Sequence, residues 1–216
     1  MILYQWLQFE RPLPAEAFQD RLATVPAAVR ERVLRYRRWQ DRHTALFGKI
    51  GLRQLLMELG RPPSCLEEIR LDGYGRPVLA GPQQFSIAHS EDVVAVAVSD
   101  EGPVGVDLEK CRSVSLLDFR DLLTPEEYED LLTTPTRFFH YWTRKESLAK
   151  ARGLGLSLDF RSIRLDGDRA VVGSGPDAQR WRYDPLDVPG GYVGVLCVPE
   201  GASTPRFRPV EEPETG

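Results

Sequence analysis

The sequence predicts an α+β chain made of two similar α/β subdomains. Three observations predict it. Helical periodicity and strand alternation interleave along the chain instead of separating into one helical and one stranded block. Proline, glycine and aspartate turn signals recur between the periodic stretches. A soft boundary near Glu101–Pro103 leaves helices and strands on both sides. The expected layout is an N-terminal subdomain over 1–102 and a C-terminal one over 103–198. Residues 199–216 hold Pro199, Pro205, Pro209 and Pro213 and read as a mostly disordered tail.

Composition narrows the class. A chain of 216 residues can hold one large core or two small ones. Its 42% hydrophobic and 28% charged residues suit an ordinary globular protein. Cys65, Cys111 and Cys197 are far apart and form no CxxC, which argues against a disulfide framework or a zinc site and suits the cytoplasm. The opening MILYQWLQFERPL has no basic leader, and no apolar run reaches membrane-spanning length. Net charge is -4, yet Arg21 to Arg61 carries ten Lys/Arg against three Asp/Glu, or +7, leaving -11 elsewhere. A basic segment in an acidic protein points to an anionic ligand or partner. It carries no interleaved aromatic stripe, so a nucleic-acid-binding module is disfavoured.

The elements follow in order. Residues 2–9 alternate as a half-buried strand. Residues 14–23 and 26–39 read as helices opening at Pro14 and Pro26. Residues 43–59 form an amphipathic helix in which Gly48 and Gly51 weaken propensity and imply close packing. Arg61-Pro62-Pro63 breaks the chain. LEEIRL (66–71) reads as a strand and DGYGRP (72–77) as a turn. FSIAHS (85–90) and the apolar VVAVAVS (93–99) read as strands.

PVGVDLEK (103–110) is the next strand. Period 2 puts Gly105, Asp107 and Glu109 on one face, with the two carboxylates about 6.6 Å apart along the strand. They can converge on one hard cation, and Gly105 is expected to leave room for a ligand. A lone DxE is usually a strand's wet face, but this one follows an apolar strand pair. Residues 115–123 read as helix, and Thr124-Pro125-Glu126-Glu127 starts another that runs to Leu132.

Residues 138–155, FFHYWTRKESLAKARGLG, form a helix that stops at Gly153 and Gly155. Phe138, Phe139, Tyr141, Trp142, Leu148 and Ala149 share one arc of the wheel. Lys145 and Glu146 fall inside that arc and Lys150 at its edge. Charges on a core-facing arc require a partner, a metal or a ligand. Alone, Glu146 and Lys150 are an i,i+4 ion pair; combined with the DxE strand they suggest a site. Short strands at 162–165, 170–172, 181–184 and 192–198 complete the pattern.

GVDLEK (105–110) and WTRKESLAKARGLGL (142–156), with FSIAHS, DGYGRPVL (72–79) and RRWQDRHTALFGKIGLR (37–53), resemble the surfactin-synthetase-activating type of 4′-phosphopantetheinyl transferase. The resemblance covers most of residues 1–165. It implies transfer of phosphopantetheine from coenzyme A to a serine of an acyl or peptidyl carrier protein, with release of adenosine 3′,5′-bisphosphate. It further implies a pseudo-twofold monomer with the ligand in the cleft between the halves. Magnesium (or manganese) would be held by Asp107, Glu109 and Glu146. Lys145 and Lys150 would face coenzyme A, and Arg32, Arg42, Arg76, His89 and Ser90 would contact its phosphates. Ala45 stands where relatives often have a threonine, and Thr44 is the neighbour that would substitute. Glu146, directly or through a neighbouring water, would take the serine proton, and Lys150 would stabilise the leaving phosphate. His43 and His140 read as structural and Trp142 as core. A non-catalytic carrier-binding relative is the alternative, against which stands the full set of carboxylates and lysines. No P-loop, GxGxxG or kinase signature supports another phosphotransferase. Carrier partners of this family are typically acidic, so the basic segment suits them as well as coenzyme A.

Overall fold

The computed structural model describes residues 1–73 and 75–210. Tyr74 of the expected turn and the last six residues of the expected tail lie outside the described residues. The chain divides into two compact units. One holds Met1–Glu101 with the segment that begins at Ser203, and the other holds Gly102–Ala202. Helices and antiparallel sheets occur in both, so the chain is α+β.

The first unit begins with strand β1 (Ile2–Gln8) and helices α1 (Ala15–Ala23) and α2 (Ala27–Arg35). Both helices start directly after a proline with extended backbone, where a missing N–H is harmless. Helix α2 ends four residues earlier than its sequence pattern suggests. Tyr36 and Arg38 are extended, and α3 (Trp39–Glu58) starts at once. The Arg42 Nε donates to the Tyr36 carbonyl oxygen at 2.8 Å and holds this break. LEEIRL is not a continuous strand: Cys65–Glu68 form a 3-10 turn that buries the consecutive Cys65 and Leu66. Only β2 (Arg70–Leu71) follows, paired with β3 (Pro77–Val78). Strands β4 (Gln84–Ser90) and β5 (Val93–Ser99) then form an antiparallel sheet with β1, in the order β1-β5-β4. The central β5 is buried along its whole length. Helix α3 lies on this sheet. A Cβ on Gly51 would come within 2.2 Å of Gln5 Nε2, the movable end of a side chain, and one on Gly48 would press on Ile87 at 3.2 Å and Val94 at 3.3 Å.

The second unit opens with β6 (Gly105–Lys110). The helix expected over 115–123 is a 3-10 segment, Leu116–Leu122. Helix α4 (Pro125–Thr133) starts where predicted and carries a capping box: Glu127 N–H donates to Thr124 Oγ1 at 3.2 Å, and Thr124 N–H donates to Glu127 Oε2 at 2.8 Å. Helix α5 (Phe138–Arg152) stops at Gly153, whose φ of 71° is left-handed. Strands β7 (Ile163–Asp166), β8 (Arg169–Val172), β9 (Gln179–Pro185) and β10 (Tyr192–Pro199) form a meander, and β6 adds to the far edge of β10. Helix α5 packs on β6 and β10.

Up to residue 210 the expected free tail is not free. Strand β11 (Arg206–Phe207) pairs in parallel with Leu3 and Tyr4 of β1. Arg208 N–H donates to the Tyr4 carbonyl oxygen at 2.8 Å, and its guanidinium pairs with Glu58 at 2.7 Å. Strand β1 would otherwise present an unpaired edge, and the returning segment satisfies it. Proline-rich composition hides a pairing of this kind, because it is set by a distant strand. Among the described residues no helix is long and apolar enough to cross a membrane.

Candidate functional site

In the second unit the site is built by the crossing of β6 and α5. Gly105 brings the two backbones together, and it makes room for the helix rather than for a ligand. A Cβ there would lie 1.8 Å from the Ser147 carbonyl oxygen and 2.6 Å from the Ala151 nitrogen. Asp107, on the same strand face, is thereby carried against α5. Its Oδ1 accepts from Lys150 Nζ at 2.7 Å. Its Oδ2 is buried and has no hydrogen-bond partner. Burial pushes the Asp107 carboxyl up to about 7. Lys150 pulls it the other way, and the charges of Glu146 and Glu109 raise it again. Burial also raises Glu146, opposed by Lys150 and reinforced by Glu109. Asp107 and Glu146 thus both feel the opposing charges of Lys150 and Glu109 in a partly dehydrated place. A carboxylate base held above its ordinary range is better matched to proton abstraction near neutral pH.

Hard oxygen donors and an orphaned buried Asp107 oxygen suit a divalent cation such as magnesium. The ligand set expected from the sequence is nevertheless not assembled. Among the described residues no three His, Cys, Asp or Glu side chains are gathered closely enough to hold a metal ion. The Lys150 ammonium is the cation on Asp107 here.

Lys145 departs from its expected role. It is fully buried, and its Nζ pairs with Glu127 Oε2 at 2.8 Å and donates to the Phe160 carbonyl oxygen at 2.7 Å. It therefore ties α5 to the capping box of α4. Thr143 and Ser147, which the wheel puts on the outer arc, are buried too, and each donates to a carbonyl of its own helix. The cause is enclosure of α5 on more than one side. Trp142 is core: its ring lies 5.2 Å from Phe119 and 5.8 Å from Phe160.

The other expected contacts lie in the first unit. Arg32 is exposed on α2. Arg76 is half-buried, and its guanidinium donates to Gln84 at 3.2 Å. His89 is exposed and Ser90 half-buried at the far end of β4, about 16 Å along the strand from Gln84. Arg76 and His89 are thus brought to opposite ends of one strand. Thr44, the neighbour of Ala45, is buried and donates back to the Gln40 carbonyl oxygen at 3.0 Å. Lys49, on α3, is a cation the sequence pattern does not single out. It stands over the Phe85 ring at 5.8 Å, and burial with the nearby Arg32 charge lowers it to about 8. Only its position beside Gly48, on a helix face that proves to meet the sheet, could have marked it.

Known proteins resemble the chain over nearly its whole length. The sequence pattern of the 4′-phosphopantetheinyl transferase superfamily matches residues 103–194. The 4′-phosphopantetheinyl transferase ffp of Bacillus subtilis is 32% identical over 211 residues, 93% of this chain and 92% of the relative. The 4′-phosphopantetheinyl transferase Sfp of Bacillus subtilis (strain 168) is 29% identical over 201 residues, 88% of this chain and 89% of the relative. The 4′-phosphopantetheinyl transferase psf-1 of Bacillus pumilus is 31% identical over 211 residues, 91% and 84% of the two chains.

Proposed function

Because the chain belongs to the 4′-phosphopantetheinyl transferase superfamily, it is a phosphopantetheinyl transferase, and we propose that it moves 4′-phosphopantetheine from coenzyme A to a serine hydroxyl of an acyl or peptidyl carrier protein, leaving adenosine 3′,5′-bisphosphate. The observation that carries the site assignment is the buried, partnerless Oδ2 of Asp107, set among the charges of Glu109 and Glu146. Asp107, Glu109 and Glu146 would hold magnesium, or manganese in its place. When bound, the ion supplies charge neutralisation on the pyrophosphate. Glu146 accepts the serine proton as the hydroxyl attacks the phosphorus, and burial equips it for that by raising its proton affinity. Lys150 is about a third exposed at its side chain, so it can turn from Asp107 to the pyrophosphate and stabilise the leaving phosphate.

In the first unit, Arg32, Arg42, Arg76, His89 and Ser90 serve the phosphates of coenzyme A. Basic residues of the same segment also suit an acidic carrier protein. The enzyme is a cytoplasmic monomer on this reading, which agrees with the free thiols of Cys65, Cys111 and Cys197.

The test is intact-mass analysis of an apo carrier protein incubated with this protein, coenzyme A and magnesium. A gain of one phosphopantetheine group that chelator prevents is the expected result. No gain on several carrier types would overturn the reading.

A further inference from the structure

A carboxylate paired with arginine and one paired with lysine are left in different states. A guanidinium can meet a carboxylate with two parallel N–H bonds and cover both oxygens. An ammonium is a point donor and covers one. Asp107 is met by an ammonium: Lys150 Nζ donates to its Oδ1 at 2.7 Å, and Oδ2 is buried with no hydrogen-bond partner among the described residues. Lys49, Lys110, Lys145 and Lys150 are the only lysines in a chain rich in arginine, so the point donor stands here against the chain's usual choice of cation. The two partners also differ in freedom. The Asp107 side chain is 7% exposed, on a strand flanked by β10 and covered by α5. The Lys150 side chain is 30% exposed, in the last turn of α5, on a flexible aliphatic stem. The carboxylate is therefore fixed and the ammonium can leave. A buried carboxylate left bare is costly, so departure requires a replacement cation. Oδ2 offers that cation a contact while Lys150 is still on Oδ1, and repulsion between the two positive charges then drives the ammonium off.

We propose that Asp107 is a cation-exchange point: a divalent cation arriving on Oδ2 displaces Lys150 from Oδ1, so that the lysine is released toward the pyrophosphate only once the ion is in place. This rests on the transferase reading above and adds to it an order of events. Lys150 is the resident counterion of Asp107 in the free protein, and the carboxylate that takes the ion is the one that sets the lysine loose. Arginine at 150 would keep the positive charge but cover both oxygens, which closes the point of entry.

The experiment is calorimetric titration of the full chain with magnesium chloride alone, without coenzyme A, for wild type, Lys150→Met and Lys150→Arg. In wild type, NMR relaxation of the lysine Cε groups is measured with and without the ion, and Lys145, buried on Glu127, is the rigid reference. Magnesium should make the Lys150 Cε more mobile and leave that of Lys145 unchanged. Lys150→Met should bind magnesium about tenfold or more tighter than wild type, because no like charge has to be displaced. Lys150→Arg should bind it more weakly than wild type. A lysine that served only the fold would not raise metal affinity on removal. If wild type binds magnesium while Lys150 stays as rigid as before, the carboxylate is shared, the exchange fails and the transferase reading stands. The exchange fails in the same way if Lys150→Met binds no tighter than wild type, or if Lys150→Arg binds as tightly as Lys150→Met. It also fails alone if neither wild type nor Lys150→Met takes up magnesium while wild type still modifies a carrier. If neither takes up the ion and wild type modifies no carrier, both fail.

Discussion

Gly105 and Ser147 meet so closely that one added methyl group would lie 1.8 Å from the Ser147 carbonyl oxygen. The obstacle is helix backbone, which cannot rotate away as a side chain can. The strand face that carries Asp107 is set against α5 by this contact, so the glycine controls the geometry of the site without touching a ligand. Gly105→Ala should destabilise the protein by about 3 kcal/mol or more, at the upper end of overpacking costs. Urea unfolding followed by circular dichroism checks this, and a midpoint equal to wild type would refute the packing account.

The Lys145–Glu127 pair is the second prediction. Both side chains are almost wholly buried, and Glu127 Oε2 serves Thr124 N–H as well as Lys145. Burial lowers the proton affinity of Lys145, while Glu127 opposes that. Lys145→Met leaves a buried carboxylate uncompensated and should cost about 3–5 kcal/mol. Lys145→Met with Glu127→Gln should recover part of that loss. A ligand-facing lysine would behave differently: Lys145→Met would then lower coenzyme A affinity with stability unchanged. Unfolding midpoints for the single and double variants, with one binding isotherm, separate the two.

His43 gives a pH dependence with a definite sign. Leu13 N–H donates to its Nε2 at 3.0 Å, so Nε2 carries no proton, and Nδ1 donates to the Trp39 carbonyl oxygen at 2.7 Å. The ring also stacks on Phe18 with centroids 4.9 Å apart. Burial lowers the folded-state pKa below 6.5. Between the folded value and 6.5 the unfolded chain binds more protons, so stability is present above 6.5 and is lost as pH falls. The slope cannot exceed about 1.4 kcal/mol per pH unit for this one group. Unfolding midpoints between pH 8 and 5.5 should fall more steeply for wild type than for His43→Leu; parallel curves would exclude the role.

Glu146→Gln keeps the shape of the side chain and removes its basicity. Phosphopantetheine transfer should drop by a factor of about 100 or more, in line with loss of a general base, while coenzyme A still binds. Single-turnover mass analysis and a binding isotherm measure the two separately. Near-normal turnover would remove Glu146 from the proton transfer.

Much of this was legible in the sequence because local chemistry fixed it. Pro14, Pro26, the Thr124–Glu127 capping box and Gly153 mark helix ends through their own backbone requirements, and the structure has ends there. Period-2 alternation likewise set Asp107 and Glu109 on the face of Gly105. What stayed hidden depends on distant partners. Gly105 looked like space for a ligand because the sequence does not say which backbone approaches it. Lys145 looked ligand-directed because Glu127, 18 positions earlier, is a capping residue in sequence and an ion-pair partner only in space. Strand β11 looked disordered because its pairing strand lies at the opposite end of the chain.

Asp107 sets function against stability. Its carboxyl is held at about 7 by burial, against an ordinary 3.8. The folded protein therefore binds more protons than the unfolded chain between those values, and this group makes stability fall as pH rises across that interval. Above about 7 the charged form is a standing liability, relieved in part by Lys150. Asp107→Asn removes the charge while keeping the shape, and Lys150 is exposed enough to find water instead. At pH 8 the variant should melt no lower than wild type, yet it should lose phosphopantetheine transfer. Magnesium should raise the melting temperature of wild type, by binding only the folded state, and leave the variant unmoved. Thermal melts of both proteins at pH 8, with and without magnesium, test these statements together. A variant that melts lower, or one that magnesium stabilises as it does wild type, would mean that the buried carboxylate serves the fold and not the ion.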